Sequence, residues 1–599
     1  FDNLALIDAS GTGGGDININ GKNIKILNGS AIISNTLENI DGGTIQIQAS
    51  NLLEINGSDI FNTKIDPILA QFEIFLPFAS QISSNTFGTG KGGDIKITAQ
   101  SLKLVDGGTI ELLTVPGSTG DAGDIFIVVE DSIELNGVRP LLGVGENSEE
   151  LIINGISLDT AIDLNQASEI STASIGEGNA GSINIITEDI RLLDGATIAA
   201  TPFFIGEGGS INIDAERSVE IIGASPRTGS SSSSITANTF AEGNAGSIDI
   251  NTNKLVVRDG ALLISTTANE GDAGNINIRT LTAEIDGFRA SDGVSSLISA
   301  EAMGSGDGGD IFLNSDRLVI SDRASISVRA AGQSVPGNLI VNAETIELSG
   351  FASITAETES GSGGNIELNV RDNLILRDNS LISAQAFNSA NGGNLSIDAN
   401  FVVAFPEENN DILANAEFGN GGNITVTAEG ILGLLERPSQ PPNQTNDIDA
   451  SSEFGQAGTV ELQFPQGNTD NPLSRLDSDY ADAAELFENT FCKIRANSRF
   501  IATGRGGIPR VPDRLLLPEH TWTDWRMVDT EEQGGENRVS NATDIAKNPT
   551  EQIRMIQGWA VDSSGNVVLT DRPLKMAARA PGLKHPNCND VRGQQNHTP

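Results

Sequence analysis

Two cysteines, three histidines, four methionines and one tyrosine are all that this 599-residue chain carries of those residue types. Aromatics make up 4% of it, and phenylalanine, at 22, supplies most of them. Residues 1–490 contain no cysteine and no histidine at all. That excludes zinc-ligand spacing, a Cys–His nucleophile pair and a histidine base from most of the chain. No Gly-x-Ser-x-Gly elbow and no phosphate loop is present, and no cofactor is expected. No apolar run reaches 18 residues, so no segment reads as a membrane-spanning helix. The chain opens on Phe in what reads as the tail of a repeat, with no signal peptide. The expectation is a fragment or mature segment whose N-terminal region is missing.

Positive charge is scarce as well. Of 36 basic and 80 acidic residues, 15 and 12 fall in residues 491–599, which leaves 21 and 68 in residues 1–490, a net of −47 there. Such a surface repels phosphate backbones, so nucleic acid is not an expected partner. The acidity reads as solubility and self-repulsion of a long secreted rod, with weak cation binding as the other use.

What is abundant is glycine, at 67 residues. Much of it falls in one recurring spelling, Gly-Gly-Asp-Ile-Asn-Ile at Gly14 to Ile19. Loose copies place a second glycine at 15, 43, 93, 123, 181, 209, 246, 274, 309, 337, 364, 393, 422 and 458. The commonest gaps are 27 to 30 residues, the signature of a repeat architecture. A repeat array also escapes the size limit of a single core, because each unit buries its face against its neighbours.

Counted from Gly181, apolar or small residues stand at Ile183, Ile185, Ile190, Leu192, Ile198 and Ala200. The same offsets from Gly309 give Ile311, Leu313, Leu318, Ile320, Ile326 and Val328. Each unit is thus expected to be three short strands of period 2. Between the second and third stands a turn pair: Asn28-Gly29, Asp106-Gly107, Asp194-Gly195 or Asp259-Gly260. Three strands per unit of constant length argue for pairing with the equivalent strand of the next unit. The expected fold is all-β: a right-handed parallel β-helix, a three-sheet solenoid of about 14 coils over residues 1–465. At about 4.8 Å per coil, that makes a rod on the order of 70 Å long. The Leu-x-x-Leu-x-Leu pattern of leucine-rich repeats is absent. Gly304 to Phe312 resembles calcium-binding nonapeptides, but the motif comes once per unit and not every nine residues.

Five gaps are longer than the rest, and each excess lies between the second and third strands. The insertions are Phe61–Ser80, Val138–Ser168, Ala224–Ser233, Phe288–Ser296 and Glu436–Asn446. The first four belong to the second, fourth, sixth and eighth coils. One edge of the rod should therefore carry every long loop, either as a binding face or as the corner that tolerates growth. In the first loop, Phe72, Phe75 and Phe78 form a candidate contact site, or a short amphipathic segment packed on the sheet flank. The serine run of Ala224–Ser233 reads as flexible.

Residues 466–490 read as a linker with a short helix at Ala481–Asn489. Residues 491–599 read as a small mixed region, a cap or anchor, with a hairpin over Gly558–Thr570. Cys492 and Cys588 lie there as a candidate disulfide, worth about 4–5 kcal/mol by chain entropy. His520, near Trp522, Asp524 and Trp525, reads as packing.

The spellings at Gly181 to Ala196, and the stretches Cys492–Phe500, Gly504–Arg510 and Pro512–Leu515, resemble the filamentous-haemagglutinin-like exoproteins of bacterial two-partner secretion. The resemblance implies a secreted or surface adhesin of a Gram-negative bacterium, exported by an outer-membrane transporter and binding a host-cell, cell-surface or glycan receptor. That family's N-terminal secretion domain is not in this sequence. Two alternatives remain open: a β-helical polysaccharide lyase or hydrolase, and a calcium-stabilised surface-layer component.

Overall fold

In the computed structural model the described residues are 1–464 without residue 3, 58–79, most of 140–165 and ten scattered positions (227, 228, 230, 241, 332, 333, 360 and 440–442), together with 558–561 and 567–570. The chain divides into two units, Phe1–Ser478 and Asp479–Pro599. Among the described residues every regular element is a strand.

In the first unit, strands of two lengths alternate. A long strand starts just after each glycine corner, as in Ile183–Leu193, and a short one follows it, as in Thr197–Pro202. The short strands form a 15-stranded sheet that follows chain order except at its last two members. Its pairings are parallel and join equivalent residues of successive repeats, as in Ile170 with Ile198, Ile198 with Ile235 and Ile235 with Leu263. The long strands pair the same way. Ile125, Ile183, Ile211, Ile248, Ile276 and Ile311 make one continuous inward column of register partners. All six are fully buried, within one aliphatic core shared by every repeat. Burying such a side chain is worth about 1.5–3 kcal/mol, so the alternation of Ile with polar residues fixes which face turns in.

The sequence suggests three separate strands per unit, but the first two are usually one. In Ile183–Leu193 the buried positions are Ile183, Ile185 and Thr187, then Ile190 and Leu192. The phase slips at Glu188–Asp189, where the register to both neighbours shifts. The strand bends there without breaking. Three strands do break at this bend, into Ile276–Arg279 and Thr282–Asp286, Ile311–Asn314 and Arg317–Ser321, and Leu339–Ala343 and Thr345–Ser349. Between Ile248–Arg258 and Ile366–Leu376 the pairings consequently trace a closed ring of eight strands. Both halves of a broken strand keep nearly the same offset to the next repeat: Ile248 pairs Ile276 and Lys254 pairs Thr282. The ring is thus a slit along the bend of one parallel sheet.

The second glycine of each corner has a steric reason. A Cβ on Gly209 would lie 1.7 Å from the carbonyl oxygen of Gly181, and one on Gly246 would lie 2.0 Å from that of Gly209. The turn pairs are different. Asp194 and Gly195 both have positive φ, 56° and 89°, as do Asp259 and Gly260, at 60° and 82°. These need the left-handed region that Gly, Asp and Asn tolerate best.

Much of the acidity is built into the stack. The Asp121 carboxylate accepts the backbone N–H of Asn179, whose side chain accepts that of Glu207, whose carboxylate accepts that of Asn244. Asn244 and Asp272 continue the series to Asp272 and Asp307. These side chains satisfy corner N–H groups one repeat on, a structural use beyond solubility.

The second unit is described only at Gly558–Val561 and Val567–Thr570, which pair antiparallel with Trp559 opposite Leu569. That agrees with the hairpin expected there. The helix expected at Ala481–Asn489, and His520, lie outside the described residues.

Candidate functional site

All five insertions fall where the sequence puts them, between a long strand and the following short one. Ile45–Asn56 precedes residues 58–79 and Gln81–Ser83 follows them. The second insertion starts and ends on a two-stranded stem, Val138 opposite Ala167 and Arg139 opposite Gln166.

The third insertion, whose serine run reads as flexible, is closed by backbone bonds at its described ends. Ala224 and Ser232 bridge antiparallel, and the N–H groups of Ser225 and Gly229 donate to Ser231 O and Ser225 O at 2.8 Å. Its last two serine hydroxyls donate to Gly260 O and Ile222 O, each at 2.7 Å. The fourth insertion closes similarly, with Gly293 N–H on Arg289 O at 2.8 Å. Arg289 holds Asp292 through Nε and Nη2 at 2.8 and 2.6 Å. That bidentate pairing is the main reason the Asp292 carboxyl is held down to about 2.

These two loops touch across the intervening repeat. Arg289 Nη1 donates to Ser232 Oγ at 2.8 Å, and Ser291 Oγ donates to Gly229 O at 2.8 Å. On the far side the Arg323 guanidinium lies 4.9 Å from the centre of the Phe288 ring. From the third insertion to Arg323 the corner is one connected strip.

The alternation of long loops and short turns is accompanied by a set of buried hydrogen bonds that the sequence reading missed. Each of the first four insertions ends in a serine immediately before the short strand: Ser80, Ser168, Ser233 and Ser296. All four are completely buried. Each accepts the N–H of the turn glycine one coil earlier: Gly29, Gly107, Gly195 and Gly260, at 2.9–3.1 Å. Three of them also donate to the carbonyl ending their own long strand, at Asn136, Ile222 and Asp286. The first eight repeats are therefore four couples, each a tight turn locked by the neighbouring loop. The signal was present as a serine at the end of each of the first four loops, but its partner is a repeat away.

Phe72, Phe75, Phe78, Cys492 and Cys588 lie outside the described residues. Exposed aromatics do occur on a different corner, after the short strands. Phe203 stacks on Phe240 with centroids 5.5 Å apart, and Phe418 on Phe454 at 4.7 Å.

One pair of carboxylates has unusual titration. On the short-strand sheet Glu169 pairs with Thr109, and Ser171 pairs with Glu111, which makes the two glutamates diagonal neighbours. Burial pushes Glu111 up to about 7, with a smaller contribution from the Glu169 charge. Burial raises Glu169 too, against a hydrogen bond to Ser171. A carboxyl near neutrality has the protonation behaviour a general acid needs. Among the described residues no three His, Cys, Asp or Glu side chains are placed to hold a metal ion. No family model, no curated protein and no solved structure matches this chain.

Proposed function

We propose that residues 1–465 are the right-handed parallel β-helical rod of a secreted or cell-surface, non-enzymatic adhesin of the filamentous-haemagglutinin-like kind. Its coils act as a scaffold, and the loops along one edge make the contact surface for a host-cell or cell-surface receptor. The partner for export would be an outer-membrane two-partner-secretion transporter, and the location would be the outer surface of a Gram-negative bacterium. Parallel pairing of every repeat with its equivalent in the next supports the solenoid. The observation that carries the adhesive reading is the loop strip itself. Arg289, Ser291, Ser232 and Gly229 join loops of alternate coils into one pre-ordered surface, where binding costs less conformational entropy.

The test is attachment of the purified chain to cell surfaces and to a glycan array. It compares the wild type with variants in which Ala224–Ser233, Phe288–Ser296 or residues 58–79 are replaced by an Asp-Gly turn. The reading expects attachment to fall sharply in at least one variant while melting stays cooperative. Full attachment by all three would contradict it. A second reading, a polysaccharide lyase or hydrolase, draws support from the Glu111–Glu169 pair. Reproducible cleavage of acidic or neutral polysaccharides, abolished in Glu111→Gln, would establish it over the first.

A further inference from the structure

A groove runs along the bend of the long strands, on a different corner from the insertions. At the bend one residue per coil turns its side chain inward: Thr252, Thr280, Ser315, Ala343, Val370 and Ala399 are all buried. Only backbone faces outward there, and the residues on either side stand up as walls. The space between them is about 750 Å³ and spans six coils. One wall is Asn251, Arg279, Asn314, Asn342, Asn369 and Asp398; Leu281, Asp316, Arg371 and Asn400 stand on the other.

Three properties of these walls define a ligand. First, they are largely amides arranged at the coil spacing, about 4.8 Å. Asn342 Nδ2 donates to Asn314 Oδ1 at 2.7 Å and Asn369 Nδ2 donates to Asn342 Oδ1 at 2.9 Å. Asn369 Nδ2 also donates to Glu367 Oε1 at 2.8 Å, but Asn314 and Asn342 each keep an N–H and a lone pair, which suits a hydroxyl, itself both donor and acceptor. Second, the floor has little backbone to offer. Thr280 N–H donates to Asn314 O and Ser315 N–H to Asn342 O, both at 2.9 Å. An extended peptide adding as a strand needs free main-chain groups, and these are engaged coil to coil. Third, the charges in the walls balance, two arginines against two aspartates, within a rod that is otherwise strongly acidic. Arg371 lies 3.5 Å from Asp316, whereas Arg279 has no ion-pair partner among the described residues. Leu281, 51% exposed, supplies an apolar surface beside the amides.

We propose that this groove binds a linear, uncharged glycan lying along the stack, about one sugar per coil. The hydroxyls bond the asparagine ladder and Arg279, and a ring face rests on Leu281. The proposal is independent of the loop strip and holds whether or not the strip binds a receptor.

The test is calorimetric titration of the full chain with β-1,4-linked gluco-, manno- and xylo-oligosaccharides from disaccharide to decasaccharide. Sulfated glycans, polyuronates and extended peptides serve as comparison ligands. For at least one neutral series, affinity should rise with length and level off near the hexasaccharide. The double variant Asn314→Ala with Asn342→Ala should bind about tenfold more weakly, two modest hydrogen bonds' worth. Asn365→Ala with Asn394→Ala removes a similar amide contact (Asn394 Nδ2 to Asn365 Oδ1, 3.0 Å) outside the groove and should bind as the wild type does. The proposal is overturned if no neutral series binds, if affinity does not depend on length, if both variants lose affinity alike, or if polyanions or peptides bind more tightly.

Discussion

Replacing Gly246 by alanine should destabilise the first unit far more than an alanine substitution usually does. The added Cβ would sit 2.0 Å from Gly209 O and 2.5 Å from Gly209 C. Ordinary close C···O contacts lie at about 3.3–3.6 Å, so the two corners must part by more than an ångström. Neither can yield alone, because each is backbone held by neighbours: Gly246 N–H donates to Ala237 O at 3.1 Å, and the next residue but one starts a long strand. Overpacking that moves side chains typically costs about 1–3 kcal/mol, and here backbone must move, so about 3 kcal/mol is expected. The comparison is Gly11→Ala, where nothing lies within 4 Å of the new Cβ. That change should stay within about 0.5 kcal/mol of the wild type. Urea denaturation followed by circular dichroism measures both. If Gly246→Ala unfolds within about 0.5 kcal/mol of the wild type, close packing is not why the second glycine recurs.

Three further outcomes are expected. Ser233→Ala leaves Gly195 N–H and Ile222 O without their buried partner and should cost about 1–3 kcal/mol in urea denaturation; a neutral result would show that loop and turn are not locked together. Glu111 ionises in the unfolded chain near 4.5 but only near 7 in the fold, so stability present below 4.5 is lost as pH rises through 7. Glu111→Gln should flatten that decline and add about 1–3 kcal/mol above pH 7, the full shift being discounted because the side chain keeps some solvent contact. Melting curves at a series of pH values check this, and an unchanged pH dependence would refute it. Phe351 holds a φ of 65° with its ring 59% exposed. Phe351→Gly should therefore stabilise by about 0.5–1 kcal/mol in denaturant titration, and a loss of stability would place its role in the ring instead.

Much of the repeat was legible from the sequence because it rests on local chemistry. Alternating isoleucines declare which face is buried, Asp194-Gly195 declares a left-handed turn, and an insertion is placed by finding the strand signature after it. What was not legible depends on the neighbour one coil away. At the Glu188–Asp189 bend the pairing to both neighbouring repeats resumes, so two apolar pairs that look like separate strands run on as one. Ser233 looks like one serine among many until Gly195 N–H is found above it. Asp121 looks like surface charge until Asn179 N–H is found bonded to it. Gly246 looks like a flexible corner, yet its recurrence reflects a close carbonyl. For the candidate site, the sequence located the loop corner but not the hydrogen bonds that join its loops. The groove escaped it because the amide ladder is spread over residues 251 to 400, one side chain per repeat.

The central claim is that each repeat is one coil stacked in register on the last. Cysteine pairs test it most directly, with Cys492 and Cys588 replaced by serine to leave no other thiol. Asn212 and Asp249 are register partners on adjacent long strands, so Asn212→Cys with Asp249→Cys should form a disulfide under mild oxidation. Asn212→Cys with Asn251→Cys, displaced by two residues along the strand, should not. Efficient bridging of the first pair and not the second is the expected result. Failure of the first, or equal bridging of both, would contradict in-register parallel stacking.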